Sequence, residues 1–289
     1  MDTAISKAKA MMSSPAGCAV LLDIASNPDT LLERFAEPLV SFWLTSSAMD
    51  WCDIHHESNA QALALMAAQD KLELALRIAA HPDFAWWYEP LDLTAQIWAS
   101  PQWPGDRNLF PDGYERFAPE SWRKPTETRA VPQTVGQVTS TLRGGTTSQI
   151  TAYALYSASH VAGFPLPAWQ LEFHELSRVL EINQPSDWHD LCVHHPAEAC
   201  DGRLIPNWQT VSEEWDGIHI TLGGVLSCEQ SRFELNDQFS EMRWIHTEAT
   251  YWLKPLDATG TRLPDFEREP HEMDLKRYPY ENGPLYGRL

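Results

Sequence analysis

The sequence predicts an α+β fold, with a helical N-terminal part followed by a mixed, mostly antiparallel β-sheet domain with short helices. Three observations lead there. The stretch from Asn59 to Ala80 is rich in Ala and Leu and is bracketed by Ser58 and Pro82, which is how one long helix starts and stops. Between Pro82 and Pro132, eight prolines exclude any long helix or central strand. From Val135 onward, short β-favouring runs are punctuated by Gly, Pro and Asp.

Taken in order, the first helical signal is Asn27-Pro28-Asp29, an N-cap followed by Pro at the first helical position. Leu31, Leu32, Phe35, Leu39, Phe42 and Trp43 continue it at helical spacing, with Pro38 as a kink. The Asn59–Ala80 helix completes a helical N-terminal region, residues 1–85. Residues 86–132 interleave Pro with Trp86, Trp87, Trp98, Trp103 and Trp122, which predicts an irregular connecting segment held by its aromatics, with one short strand over Leu93–Trp98.

An α+β domain is expected over residues 133–255. Strands are predicted at Val138–Leu142, Trp169–Phe173, Arg178–Ile182, Ile218–Leu222, Glu241–Ile245 and Ala249–Leu253, while Ile150–Tyr156 fits a strand or a helix. A helix capped by Ser186 should run to about His194, and another should span Pro206–Trp215. Gly144-Gly145, Asp216-Gly217 and Gly223-Gly224 read as turns. Residues 256–289, rich in Pro, Gly, Tyr and charge, are expected to lie extended on the surface.

Charge narrows the function classes. The 289 residues carry a net charge of −19, from 40 acidic and 21 basic side chains. Nucleic-acid affinity depends on cations that neutralise phosphates, so a general DNA or RNA partner is not expected, nor is an anionic membrane surface. No run approaches the ~20 apolar residues needed to span a bilayer; Ala19-Val20-Leu21-Leu22 stops at Asp23. The N-terminus lacks the pattern of a signal peptide, and five scattered cysteines do not form a disulfide framework, so a cytoplasmic location is expected.

The motifs of phosphate-binding loops, dinucleotide folds, nucleophile elbows and zinc proteases are absent. Cys52, Asp53, His55, His56 and Glu57 form one cluster of metal-ligand types, and Cys192, His194, His195 and Cys200 form another. Neither follows a familiar zinc spacing, and His near a helix end also complements the last carbonyls, so no metal is expected.

Three segments carry a more specific pattern. They are Thr139-Ser140-Thr141 in a strand, Arg178-Val179-Leu180-Glu181-Ile182 in a later one, and Thr247-Glu248 ahead of a last hydrophobic strand. Strand hydroxyls can brace a nucleotide-like ligand. A carboxylate at the mouth of a late strand can stabilise an oxocarbenium-like transition state. His219 alternates with Ile218 and Ile220, so it occupies the opposite face of its strand and can line the same pocket as a polar contact.

This order resembles the ADP-ribosyltransferase family. The resemblance covers residues 125–255 and implies that Thr139, Ser140 and Thr141 shape the site for NAD as substrate, with Glu248 as the catalytic carboxylate at an exposed cleft. Two features depart from the family pattern. His246 stands where an acidic residue or Gln is expected, and the early Arg that would hold NAD has four candidates, Arg107, Arg116, Arg123 and Arg129. The expected activity is an NAD-dependent ADP-ribosyltransferase or NAD glycohydrolase, with Glu248 and His219 catalytic and a small-molecule nucleotide as ligand. The alternative from a different class is an acidic, Trp-rich interaction protein (an immunity, inhibitor or scaffold module) docking on a basic protein partner through aromatic anchors.

Overall fold

The computed structural model describes residues 2–26, 65–99, 140–143, 168–173, 178–198, 202–235, 238–243, 245, 248–254 and 258–264. The helix expected from Asn27, the start of the one expected from Asn59, and the segment Ile150–Tyr156 lie outside these residues. Across the rest, helices and mixed, mostly antiparallel sheets make an α+β fold, as the sequence predicts.

Helices α1 (Asp2–Met12) and α2 (Pro15–Ser26) open the chain. Pro15 takes the first helical position of α2, where a missing N–H costs nothing. Ala16, Cys18, Ala19, Val20, Leu21 and Ile24 are all fully buried, so most of the described α2 side chains lie in packed interior. Helix α3 (Leu72–Ala80) ends ahead of Pro82 as expected, and a 3-10 turn, Gln69–Lys71, precedes it. Phe84 and Trp87, on the 3-10 helix Pro82–Tyr88, close this first core.

Further along come α4 (Pro185–His194), α5 (Trp208–Glu214) and α6 (Leu222–Cys228). The cap of α4 is Gln184. Pro185 occupies the first position, so Ser186 falls inside the first turn, and Asp187 Oδ2 reaches back to accept the Asn183 and Gln184 N–H groups. Asn207 caps α5 by accepting from Gln209 and Thr210.

Gly223-Gly224 is no turn; both residues lie buried inside α6. Their smallness serves packing. A Cβ on Gly223 would sit 2.1 Å from the Tyr88 ring, and one on Gly224 would sit 2.1 Å from the Ile182 carbonyl oxygen. Leu222 and Leu226 of α6 join the N-terminal core, while Val225 and Cys228 join a second core with Ile182, Trp188, Trp208, Ile218 and Ile220. One short helix thereby ties the helical part to the sheet.

The strands are β1 (Gln96–Ala99), β2 (Ser140–Arg143), β3 (Ala168–Phe173), β4 (Val179–Ile182), β5 (Pro196–Glu198), β6 (Arg203–Pro206), β7 (Gly217–Ile220), β8 (Phe233–Leu235), β9 (Gln238–Ser240), β10 (Ala249–Trp252) and β11 (Ala258–Arg262). Seven form one sheet in the order β11-β3-β1-β2-β10-β7-β4, and β5-β6-β9-β8 form a second. The second sheet has no counterpart in the sequence reading. The strand expected over Glu241–Ile245 reduces to one bridge, Met242 to Glu229, because the chain leaves the small sheet after Ser240. β11 pairs with β3 along five residues, within the segment expected to lie extended after Pro255.

Candidate functional site

Strand β7 reads Gly-Ile-His-Ile, and alternation sends Ile218 and Ile220 into the second core. His219 therefore emerges on the other face. β4 runs parallel to β7 and in register, with Glu181 beside His219. Leu180 and Ile182 pack toward the same core as the isoleucines, which places Glu181 on the face of His219. On the other side of β7, β10 sets Thr250 opposite His219, and Glu248 precedes that strand.

These placements bring three ionisable groups together. Glu181 Oε2 accepts from His219 Nδ1 at 2.5 Å, and Glu248 Oε1 accepts from His219 Nε2 at 3.2 Å. The second oxygen of Glu181 accepts the Leu91 N–H at 2.8 Å. His219 and Glu248 are each only 2% exposed, whereas the Glu181 side chain is 28% exposed. Glu248 is thus an interior residue and not the exposed cleft carboxylate that was expected. Glu181 is the member of the trio that meets solvent.

Both imidazole nitrogens face carboxyl groups, an arrangement that favours the doubly protonated imidazolium, which donates from both nitrogens. Burial alone would lower the His219 pKa. The hydrogen bonds and charges of Glu181 and Glu248 outweigh it, and the pKa is raised above its usual value. With both carboxyls ionised against an imidazolium, the trio carries a net negative charge.

The register continues across the sheet. Thr250 pairs with Thr141 and Tyr251 with Ser140, so Glu181, His219, Thr250 and Thr141 align across β4, β7, β10 and β2. Ser140 and Thr141 therefore lie two strands from His219; Thr139, like His246 and the four candidate arginines, is outside the described residues. The buried Thr250 hydroxyl also lies 3.4 Å from Gln96 Oε1 on β1. At the start of β7 the Trp252 ring covers Gly217, where a Cβ would sit 3.0 Å away.

Sequence reasoning singled out His219 and Glu248, and the fold puts them in contact. It passed over Glu181 as a site residue, although a lone carboxylate inside Val-Leu-Glu-Ile was the available signal, since buried acids need partners.

Of the two Cys/His clusters, residues 52–57 lie outside the described residues. In the second, His194 Nδ1 bonds the Asp190 carbonyl at the end of α4, and His195 Nδ1 meets Thr210 Oγ1 at 3.1 Å. Among the described residues no three His, Cys, Asp or Glu side chains are grouped as a metal site, and no helix is long and apolar enough to cross a membrane. No protein-family model, curated protein or solved structure matches the chain.

Proposed function

We propose that this chain cleaves the N-glycosidic bond of NAD or a related pyridinium nucleotide, as a glycohydrolase or an ADP-ribosyltransferase, with Glu181, His219 and Glu248 as its reactive centre. One observation carries the reading: both nitrogens of a buried histidine are engaged by carboxylates, and one of those carboxylates reaches solvent.

The chemistry follows from what this trio offers. A net negative charge favours a sugar that becomes oxocarbenium-like as its glycosidic bond breaks. Both N–H groups of His219 point at carboxylates rather than toward a ligand, so neither is set to protonate a leaving group directly. Pyridinium nucleotides do not require that protonation. When the C1′–N bond breaks, its electron pair neutralises the ring nitrogen and nicotinamide departs neutral. Water or an acceptor hydroxyl then bonds C1′ and gives its proton to Glu181, which retains lone pairs beyond those used by Leu91 and His219. Glu248 acts through His219, holding the imidazolium that orients Glu181.

The test compares two substrates. The protein should release nicotinamide from NAD and leave inosine intact, because the neutral base of inosine departs only with protonation. Cleavage of inosine at a rate similar to NAD would contradict the assignment of roles. Neither binding nor turnover of NAD would end the enzymatic reading in favour of the acidic interaction module.

A further inference from the structure

The small sheet ends at β8. In the order β5-β6-β9-β8, that strand pairs with β9 through Phe233–Ser240, Glu234–Phe239 and Leu235–Gln238. An antiparallel strand turns the N–H and C=O of alternate residues to each side, so an end strand offers one set of them to a further strand. Among the described residues, no strand takes this outer edge.

The side chains of β8 are open to solvent as well. Alternation puts Phe233 on the face covered by α4, where its ring lies 4.6 Å from that of His189. Phe233 is nevertheless 39% exposed, and Val193, one turn beyond His189 on α4, is 43% exposed. On the opposite face, Arg232 Nε binds Glu234 Oε1 at 2.9 Å, and the Arg232 guanidinium lies 3.8 Å from the centre of the Phe239 ring. Both charged side chains are more than half exposed.

Charges of one sign along an edge would repel a second copy. Here the order is Arg-Phe-Glu, with opposite signs on either side of an apolar residue. Two antiparallel copies related by a two-fold axis must centre on one residue, because hydrogen-bonded and non-hydrogen-bonded pairs alternate along the ladder. Centring on Arg232 sets Arg against Arg, and centring on Glu234 sets Glu against Glu. Centring on Phe233 sets Arg232 opposite the partner's Glu234, Glu234 opposite the partner's Arg232, and the two Phe233 rings side by side.

We infer that the β8 edge is a self-association site, joining two copies of this chain antiparallel about Phe233 into one continuous sheet. The Arg232–Glu234 pair within each copy is kept, so the four charged side chains alternate in sign around the axis. An edge this short makes the dimer weak and concentration-dependent. The net charge of −19 on each copy opposes approach at low ionic strength and is largely screened beyond about 8 Å at physiological salt. Arg232, Phe233 and Glu234 are not members of the Glu181–His219–Glu248 trio, so the dimer stands or falls independently of any action on NAD.

Sedimentation of the full chain at physiological salt, over a concentration series, reads the association. Wild-type protein should pass from monomer to dimer as concentration rises. Arg232→Glu and Glu234→Arg each set like charges opposite one another and should weaken the dimer about tenfold or more. Glu234→Arg lowers the net negative charge, so general repulsion predicts the reverse for that variant. An equimolar mixture of the two single variants restores opposite charges across the axis and should form mixed dimers at wild-type concentrations. The double variant, Arg232→Glu with Glu234→Arg, should regain wild-type association. Because both positions are exposed, all variants should keep the wild-type circular dichroism.

Wild-type protein that stays monomeric at its highest soluble concentration overturns the inference. So do single variants that dimerise as the wild type does, since the contact then lies elsewhere. Loss in the single variants without recovery in the mixture or the double variant rejects the pairing about Phe233.

Discussion

Glu181 and His219 stand side by side on the parallel pair of β4 and β7, with Oε2 and Nδ1 2.5 Å apart, and Glu248 occupies the opposite nitrogen of the same ring. An imidazolium between them lets two carboxylates share this interior face, and the raised His219 pKa favours that form. Breaking a buried pair by deleting one partner usually costs more than the pair contributes, because the remaining charge is stranded.

His219→Ala should therefore destabilise the protein by about 3–5 kcal/mol, in the range for stranding a buried charge. Urea unfolding at neutral pH measures it. A loss no larger than that of an exposed histidine would mean that Glu248 is not ionised against His219.

The raised pKa of His219 gives a sign to the pH dependence. Stability from the imidazolium is complete below the unfolded value of about 6.5 and is lost as pH rises through the elevated folded value. The stability difference between wild type and His219→Asn should be largest at mildly acidic pH and shrink as pH is raised above neutrality. A difference that grows with pH would contradict the charge state.

Gly224→Ala should be costly because its Cβ would meet the Ile182 carbonyl oxygen at 2.1 Å, a backbone atom that cannot swing aside. Overpacking that forces backbone to shift typically costs about 1–3 kcal/mol and occasionally more. Since Ile182 follows Glu181 on β4, nicotinamide release should fall as well. Equal stability of the Ala variant would place α6 differently on the sheet.

Cys18, Cys192 and Cys228 are free, buried thiols. Burial pushes the Cys18 thiol up to about 12 and raises the other two as well. None of the three should react with a thiol reagent in native protein at neutral pH, and all should react after denaturation. Mass spectrometry of alkylated protein counts them, and rapid native labelling of any of the three would contradict its burial.

Much of the sheet was legible because its strands carry local signals. Ala168–Phe173, Val179–Ile182 and Ala249–Trp252 fall within a residue or so of the predicted runs, and a helix ends ahead of Pro82 where a breaker should stop it. Failures came where tertiary packing decided. Gly223-Gly224 has the composition of a turn, yet close approach to Tyr88 and β4 makes it helix. The largely buried helix α2 shows no strong amphipathic period, and the strands of the small sheet, three or four residues each, are too short to show alternation. At the site, the type of His219 and its alternation pointed to a polar face, but no local pattern could reveal that a parallel pairing from 38 residues upstream supplies Glu181 as its partner.

The most direct measurement is the rate of nicotinamide release from NAD by wild-type protein and by Glu181→Gln. Gln keeps the shape of the side chain and removes the charge that faces solvent. Loss of one preorganised electrostatic contact typically costs a few hundredfold in rate, about 3–4 kcal/mol. The variant should show that loss in kcat with KM changed little, while remaining folded by circular dichroism. Wild-type protein that leaves NAD intact, or a Gln variant that turns it over at the wild-type rate, would contradict the assignment of this trio as the reactive centre.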